Sequence, residues 1–288
     1  MTSLQDLVAE ELDQPVEPHV TAMGQAIAAK HGSSSEAVLF YGSCLRQRQL
    51  EGLMLDFYLI VSDYPSAYDR RWLAAANRLV PPNVFYFEHA GLTSKYAVLS
   101  CADFHRLNGP ETRAVSVWAR FAQPSRLVWT ADKAARERAI AAVARAAPTL
   151  LAAALPNAID CKDPLDLWRR AFALTYSAEL RSERTGKAAS VVDQDRDRYR
   201  RFTEPALGAV DKAARQPSWR RRRIEGKALS VVRLAKASAT FAGGADYIAW
   251  KVNRHAGTDI QLKPWQRRFP LLAAISLLPR LLKSGAVR

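Results

Sequence analysis

The chain has 288 residues, 49% of them hydrophobic and 24% charged, which is enough apolar content for an ordinary core and enough length for two domains. Its three cysteines, Cys44, Cys101 and Cys161, are too far apart for a CxxC pair or a disulfide framework and point to a reducing compartment. The net charge of +14 is unevenly held: residues 1–159 carry 15 basic and 15 acidic side chains, residues 160–288 carry 27 and 13, and residues 215–288 alone carry 16 and 3. A neutral front joined to a basic tail implies an anionic partner for the tail, either nucleic acid or an acidic membrane surface.

The first twenty residues are acidic and polar, without the apolar run of a secretory signal. Val20, Met23, Ile27 and Ala28 fall at helical spacing and predict an opening helix over 19–31. The segments 37–41, 53–62, 83–88 and 95–99 are rich in β-branched and aromatic residues between turn formers, and are predicted strands. Residues 68–79 predict a helix that Pro81 and Pro82 terminate. The hairpin-length loop at Gly91 makes the sheet mixed. From residue 131 the chain is alanine-rich at helical spacing over 133–155, a pattern that 164–184 repeats, and 186–201 is predicted as a loop leading into a helix. The expected organisation is an α/β domain over 1–130 with a nucleotidyltransferase-like mixed sheet, a mostly α-helical domain over 131–262, and an amphipathic tail over 263–288.

The informative stretch is Leu39-Phe40-Tyr41-Gly42-Ser43, followed about a dozen residues later by Leu55-Asp56-Phe57. A Gly-Ser turn can present backbone N–H groups and a hydroxyl to phosphate oxygens. A carboxylate within an apolar strand is costly to bury unless it is paired or holds a metal. Each alone is commonplace, since Gly-Ser pairs make ordinary turns and a strand aspartate can be structural; their order and separation carry the reading. Nucleotidyl transfer requires metal ions between carboxylates and a triphosphate, cations for the leaving pyrophosphate, and an in-line acceptor. In that scheme Tyr41, Gly42 and Ser43 bind the nucleotide, Asp56 holds Mg²⁺, Glu88 or Asp63 supplies a further carboxylate, and Lys95 neutralises phosphate. Many such enzymes carry a second acid two residues on, where this chain has Tyr58. The sequence has no GxxxxGK[ST] loop, no GxGxxG and no GxSxG, and its five histidines lack metal-ligand spacing.

These stretches, with others in the same order, resemble the mitochondrial-type phosphatidate cytidylyltransferases, also called the translocator assembly and maintenance family, and their bacterial relatives. Tyr41-Gly42-Ser43 is similar to the family's Tyr-Gly-Ser-Gly turn, with Cys44 in place of the second glycine. Leu55-Asp56-Phe57 matches its aspartate strand, which also lacks an acid two residues on. Ser94-Lys95-Tyr96-Ala97-Val98-Leu99-Ser100 resembles its Lys-Tyr strand, and Asn83 to Phe87 its Val-Tyr-Phe segment. Trp118 to Arg126 resembles its Arg-containing Gln-Lys-Pro signature, and Thr175 to Arg181 its Ser-Tyr-Thr-Gly-Asp-Phe-Arg. The family's Trp-His and His-Tyr-Ser segment is not reproduced. The resemblance covers about residues 38–185 and implies formation of CDP-diacylglycerol from CTP and phosphatidic acid with Mg²⁺. The expected catalytic residues are Asp56 and Lys95, with Glu88 added from its own strand position, and Arg120, Arg126 and Arg181 are the expected ligands of the lipid phosphate.

A lipid substrate requires contact with a bilayer. Arg220 to Arg223, Lys227, Arg233 and Lys236 alternate with Leu229, Val232 and Leu234 on a predicted helix, and Trp265 to Lys283 flanks about ten apolar positions with aromatic and basic residues. Both fit a segment lying among anionic headgroups, and imply a cytoplasmic protein peripheral on the inner face of the membrane. The other uses of the terminal apolar stretch are packing on its own protein and a homodimer interface. Nucleic acid is disfavoured as a partner, because no zinc spacing or recognition motif accompanies the arginines. The rival functions are nucleotidyl transfer to another acceptor (sugar phosphate, RNA or protein), and a non-catalytic adaptor on a degenerate nucleotidyltransferase fold.

Overall fold

The computed structural model describes residues 2–46, 50, 52–158, 160–161, 163–179, 187–211, 217–240, 261 and 263. In chain order the elements are α1 (Leu4–Leu12), α2 (Pro18–His31), β1 (Ser35–Tyr41), β2 (Met54–Val61), α3 (Tyr64–Ala67), α4 (Arg71–Leu79), β3 (Asn83–His89), β4 (Leu92–Ser100), α5 (Cys101–Asn108), α6 (Trp118–Phe121), β5 (Ser125–Thr130), α7 (Lys133–Ala144), α8 (Ala146–Ala154), α9 (Pro164–Ala178), α10 (Lys187–Asp193), α11 (Arg196–Gly208) and α12 (Trp219–Thr240). The strands form one mixed sheet in the order β3-β4-β2-β1-β5. β1 is antiparallel to β2 and β5, β3 is antiparallel to β4, and β2 and β4 run parallel. A parallel pair needs a long crossover, which α3, α4 and β3 supply. The β3–β4 hairpin turns on Ala90 and Gly91, both at positive φ, as a two-residue connection demands. The chain is thus of the mixed α/β class.

Strand alternation divides the core in two. Leu55, Phe57, Leu59 and Val61 of β2 join Val38, Phe40, Tyr96 and Val98 under α2 and beside α4. Tyr58 and Ile60 join Ala37, Leu39, Tyr41, Ala97 and Leu99 on the other face, against Phe104, Trp118, Val143, Leu150, Trp168, Phe172 and Tyr199. The helices after residue 131 therefore share a continuous core with the sheet.

Several elements differ from expectation. The acidic N-terminus forms α1, with a capping box between Ser3 and Asp6, and its Glu11 is buried against Arg198 of α11, which also donates to the Ala122 carbonyl at 3.0 Å. The single helix expected over 133–155 is two, α7 and α8. Pro148 has no N–H for the Ala144 carbonyl, so the ladder is interrupted. Lys133–Asn157 is long and apolar enough to cross a membrane, but 78% of its most apolar stretch is buried within the protein. Residues 125–130, which are not among the predicted strands, form edge strand β5. The stretch 186–201, expected as a loop leading into a helix, does enter helix α11 at Arg196, but its first part forms α10, with Asp193 bound by Arg169. The tail expected over 263–288 lies outside the described residues but for Lys263.

The basic helix α12 turns part of its cationic face inward. Gly226 packs so closely on α9 that an added Cβ would lie 2.2 Å from the Ala178 carbonyl oxygen. One buried face carries Arg222, which donates to the Thr112 and Arg113 carbonyls at 3.2 and 2.9 Å, with its guanidinium over the Trp118 and Trp219 rings. Arg233 and Lys236 also point inward, toward the carbonyls of residues 80–82. Carbonyls withdrawn from water need donors, and these side chains supply them. Arg220, Arg221, Arg223 and Lys227 remain exposed.

Candidate functional site

β1 ends at Tyr41, which is in register with Asp56 of β2. The next residue, Gly42, has φ +97°, and a Cβ built on it would meet Asp56 Oδ2 at 3.1 Å. The positive φ favours glycine here, and any added side chain would press on the Asp56 carboxylate. The chain then makes a short 3₁₀ turn over Ser43–Arg46, with Leu45 N–H donating to the Gly42 carbonyl at 3.2 Å. Ser43 is exposed beside the aspartate strand, while Cys44 is buried with Sγ 3.7 Å from the Met54 carbonyl oxygen. Burial, reinforced by the Asp56 charge, pushes the Cys44 thiol up, so it stays protonated at neutral pH.

Asp56 is in register with Lys95 of the parallel strand β4, and the two side chains make an ion pair of 3.0 Å while keeping 21% and 26% of their surface in solvent. Tyr86 lies opposite Lys95 on β3. Tyr41, Asp56, Lys95 and Tyr86 thus form a row across four strands on one sheet face, at the end that the helices leave polar.

A second group stands one residue pair further along that face. Arg120 of α6 donates from Nη1 to the Tyr58 hydroxyl at 3.0 Å, and its guanidinium carbon lies 5.0 Å from the Tyr41 ring centroid and 5.8 Å from that of Tyr58. Burial works against the charge of Arg120, but the Tyr41 and Tyr58 oxygens and the Glu179 and Asp56 carboxylates outweigh it and hold the guanidinium charged. Arg233 donates from Nε to the Pro81 carbonyl at 2.9 Å and from Nη1 to Ser116 Oγ at 2.6 Å. Burial depresses its affinity for a proton, Tyr58 and Glu179 oppose that, and Arg120 adds to it. Glu179, just past the end of α9, is the carboxylate that both arginines feel.

The structure brings Tyr41, Gly42, Ser43, Asp56, Lys95 and Arg120 to one end of one sheet face. It does not bring Glu88 to Asp56. Glu88 is exposed near the end of β3, accepts a hydrogen bond from Tyr86, and lies two strand spacings from Asp56, on the order of 10 Å. Arg126 sits on β5 and reaches Gln14 Oε1 at 2.5 Å, lining a charged cavity of about 240 Å³ with Glu10, Glu11 and Arg198. Arg181 lies outside the described residues. Among the described residues no three His, Cys, Asp or Glu side chains gather as a ready-made metal cage. Sequence reasoning missed Tyr58 as the partner of Arg120, and missed Arg233, which it read as part of a membrane-facing stripe.

No family model matches the chain, and no curated protein matches it. Among solved structures it is similar to a nucleotidyltransferase-like protein from Exiguobacterium sibiricum 255-15, at 12% identity over 92% of each chain with a TM-score of 0.26. That likeness is too slight to carry a fold or an activity across, so the α/β assignment rests on the mixed sheet and helices of this chain itself.

Proposed function

We propose that the chain is a Mg²⁺-dependent nucleotidyltransferase that joins CTP to phosphatidate, giving CDP-diacylglycerol and pyrophosphate at the inner surface of an anionic membrane. The observation that carries nucleotidyl transfer is the contact of the Gly42 turn with Asp56, itself paired to Lys95. The choice of CTP and phosphatidate is supported by the family resemblance of residues 38–185 and by the arginines beside the site.

One carboxylate suits magnesium here, because Mg²⁺ in phosphoryl-transfer sites is commonly held by one or two carboxylates with the remaining positions taken by substrate phosphates and water. Asp56 would be its protein ligand, and the ion would neutralise charge on the triphosphate. The turn after β1 would offer N–H groups and the Ser43 hydroxyl to phosphate oxygens. Lys95, fixed by its neighbour Asp56, would face the charge that builds on the leaving group. Arg120, held beside Tyr41 by its bond to Tyr58, would orient the acceptor. A phosphate oxygen of the acceptor attacks the α-phosphorus, a P–O bond forms, the bond to the β-phosphate oxygen breaks, and pyrophosphate departs.

The test is incubation of the full chain with labelled CTP, phosphatidate vesicles and Mg²⁺. A labelled CDP-lipid is expected, and Asp56→Asn should lower its formation by about 100-fold or more. Turnover with glycerol 3-phosphate, a sugar phosphate or an RNA end in place of phosphatidate would replace the acceptor and leave nucleotidyl transfer standing. An Asp56→Asn protein of normal turnover would overturn the assignment.

A further inference from the structure

We propose that Arg233 of α12 and Arg120 of α6 together form a clamp for the phosphate monoester of the acceptor, with Glu179 as the counter-charge that tempers the pair when no phosphate is bound. The proposal rests on the reading of this face as a nucleotidyl-transfer site and adds to it a residue from the basic helix.

The geometry is specific. Arg120 is oriented by Tyr58 at 3.0 Å and by the Tyr41 ring at 5.0 Å. Arg233 comes from another element, and its hydrogen bond to Ser116 Oγ at 2.6 Å places it against the segment that leads into α6. Arg120 uses Nη1 for the Tyr58 hydroxyl, Arg233 uses Nε for the Pro81 carbonyl and Nη1 for Ser116 Oγ, and neither Nη2 has a hydrogen-bond partner among the described residues. A guanidinium edge binds phosphate through parallel N–H donors; Arg120 offers its Nε–Nη2 edge and Arg233 adds its Nη2 donors from another direction, a combination that suits a dianionic monoester.

The electrostatics agree. Arg233 and Arg120 repel each other across Tyr58, and Glu179 is the carboxylate that offsets both. The two guanidiniums share Glu179, and Asp56, which Arg120 also feels, is paired with Lys95, so the group gains by taking up another anion. Nor is Arg233 a wandering surface side chain. Helix α12 is fixed by Arg222 on the Thr112 and Arg113 carbonyls, by the Gly226–Ala178 contact, and by Lys236 on the Val80 and Pro82 carbonyls. A preorganised cation loses little freedom on binding its ligand.

The test measures binding by calorimetry without Mg²⁺ or nucleotide, using short-chain phosphatidate, glycerol 3-phosphate and inorganic phosphate as probes. Arg233→Gln should weaken phosphatidate binding at least tenfold and Arg233→Lys severalfold, because lysine keeps the charge and loses the fork. Glu179→Gln should tighten it severalfold, and exposed Arg223→Gln should leave it unchanged. Mg·CTP affinity should be the same in Arg233→Gln as in the parent. Binding of glycerol 3-phosphate with the same dependence on Arg233 would identify the headgroup phosphate as the ligand. Binding of inorganic phosphate alone would overturn the acceptor assignment, as would an equal loss of CTP affinity. Unaltered phosphatidate binding in both Arg233→Lys and Glu179→Gln would overturn the clamp even if Arg233→Gln did not fold. If no CDP-lipid forms in the activity assay but phosphatidate binding still depends on Arg233, the clamp stands and the catalytic reading fails.

Discussion

Gly42 and Asp56 touch across the first two strands: a methyl group on the glycine would sit 3.1 Å from the carboxylate oxygen Oδ2. The turn and the acid are therefore one structural unit. At φ +97° an alanine is also strained by its own backbone. Gly42→Ala should cost about 1–3 kcal/mol in urea unfolding and should weaken Mg·CTP binding by more than that loss of stability explains. Unchanged nucleotide affinity would separate the turn from the nucleotide.

The Asp56–Lys95 pair is partly solvated, so its worth to folding is small. Lys95→Met should change unfolding free energy by no more than about 1 kcal/mol. The same substitution should depress turnover on CTP by about 100-fold, because the lost cation faces charge that develops only during transfer. A parallel fall in stability and activity would make the pair structural.

Glu11 and Arg198 pair almost out of contact with water, tying α1 to α11. Removing one partner strands the other as a buried charge. Glu11→Ala should cost about 3–5 kcal/mol by chemical denaturation, and replacement of both residues by apolar ones should recover much of it. An exposed pair would cost under about 1 kcal/mol.

Lys236 is pushed down to about 7 by burial and by Arg233. Its proton affinity in the folded protein lies below that of the unfolded chain, so between roughly pH 7 and 10 the unfolded state binds more protons and stability rises with pH. The penalty for burying the charged amine is complete below about pH 7 and is relieved as pH climbs. Partial solvent access reduces the effect, and a gain of about 1–2 kcal/mol from pH 7.0 to 9.5 is expected in urea unfolding. Lys236→Met should flatten that rise, and an identical slope in the variant would remove Lys236 as its source.

What could be read from the sequence was local. The Gly-Ser turn, the aspartate in its apolar strand and the Lys-Tyr strand each announce themselves within a few residues, and the register of β1, β2 and β4 brings them together. β5 was hidden because Ser125-Arg126-Leu127-Val128-Trp129-Thr130 is short and carries an arginine, and an edge strand needs only one partner. Helix α1 was hidden because its acidic composition masks Leu4, Leu7, Val8 and Leu12, which become a buried face only against the later helices. Arg233 could not be recognised from its neighbours at all. Its hydrogen-bond partners Pro81 and Ser116 are 152 and 117 residues away along the chain. A basic helix looks the same in one dimension whether its cations face a membrane or a carbonyl.

The anchoring of α12 has a consequence for how the protein matures. The turn at Gly42 and the acid at Asp56 leave the ribosome early, whereas the helix that pins itself beneath Trp118 and onto the 80–82 corner is the last extended element among the described residues to be synthesised. A nascent chain interrupted before that helix carries the Gly42 turn beside an unfinished wall, so the face is completed only when α12 docks rather than growing steadily with length.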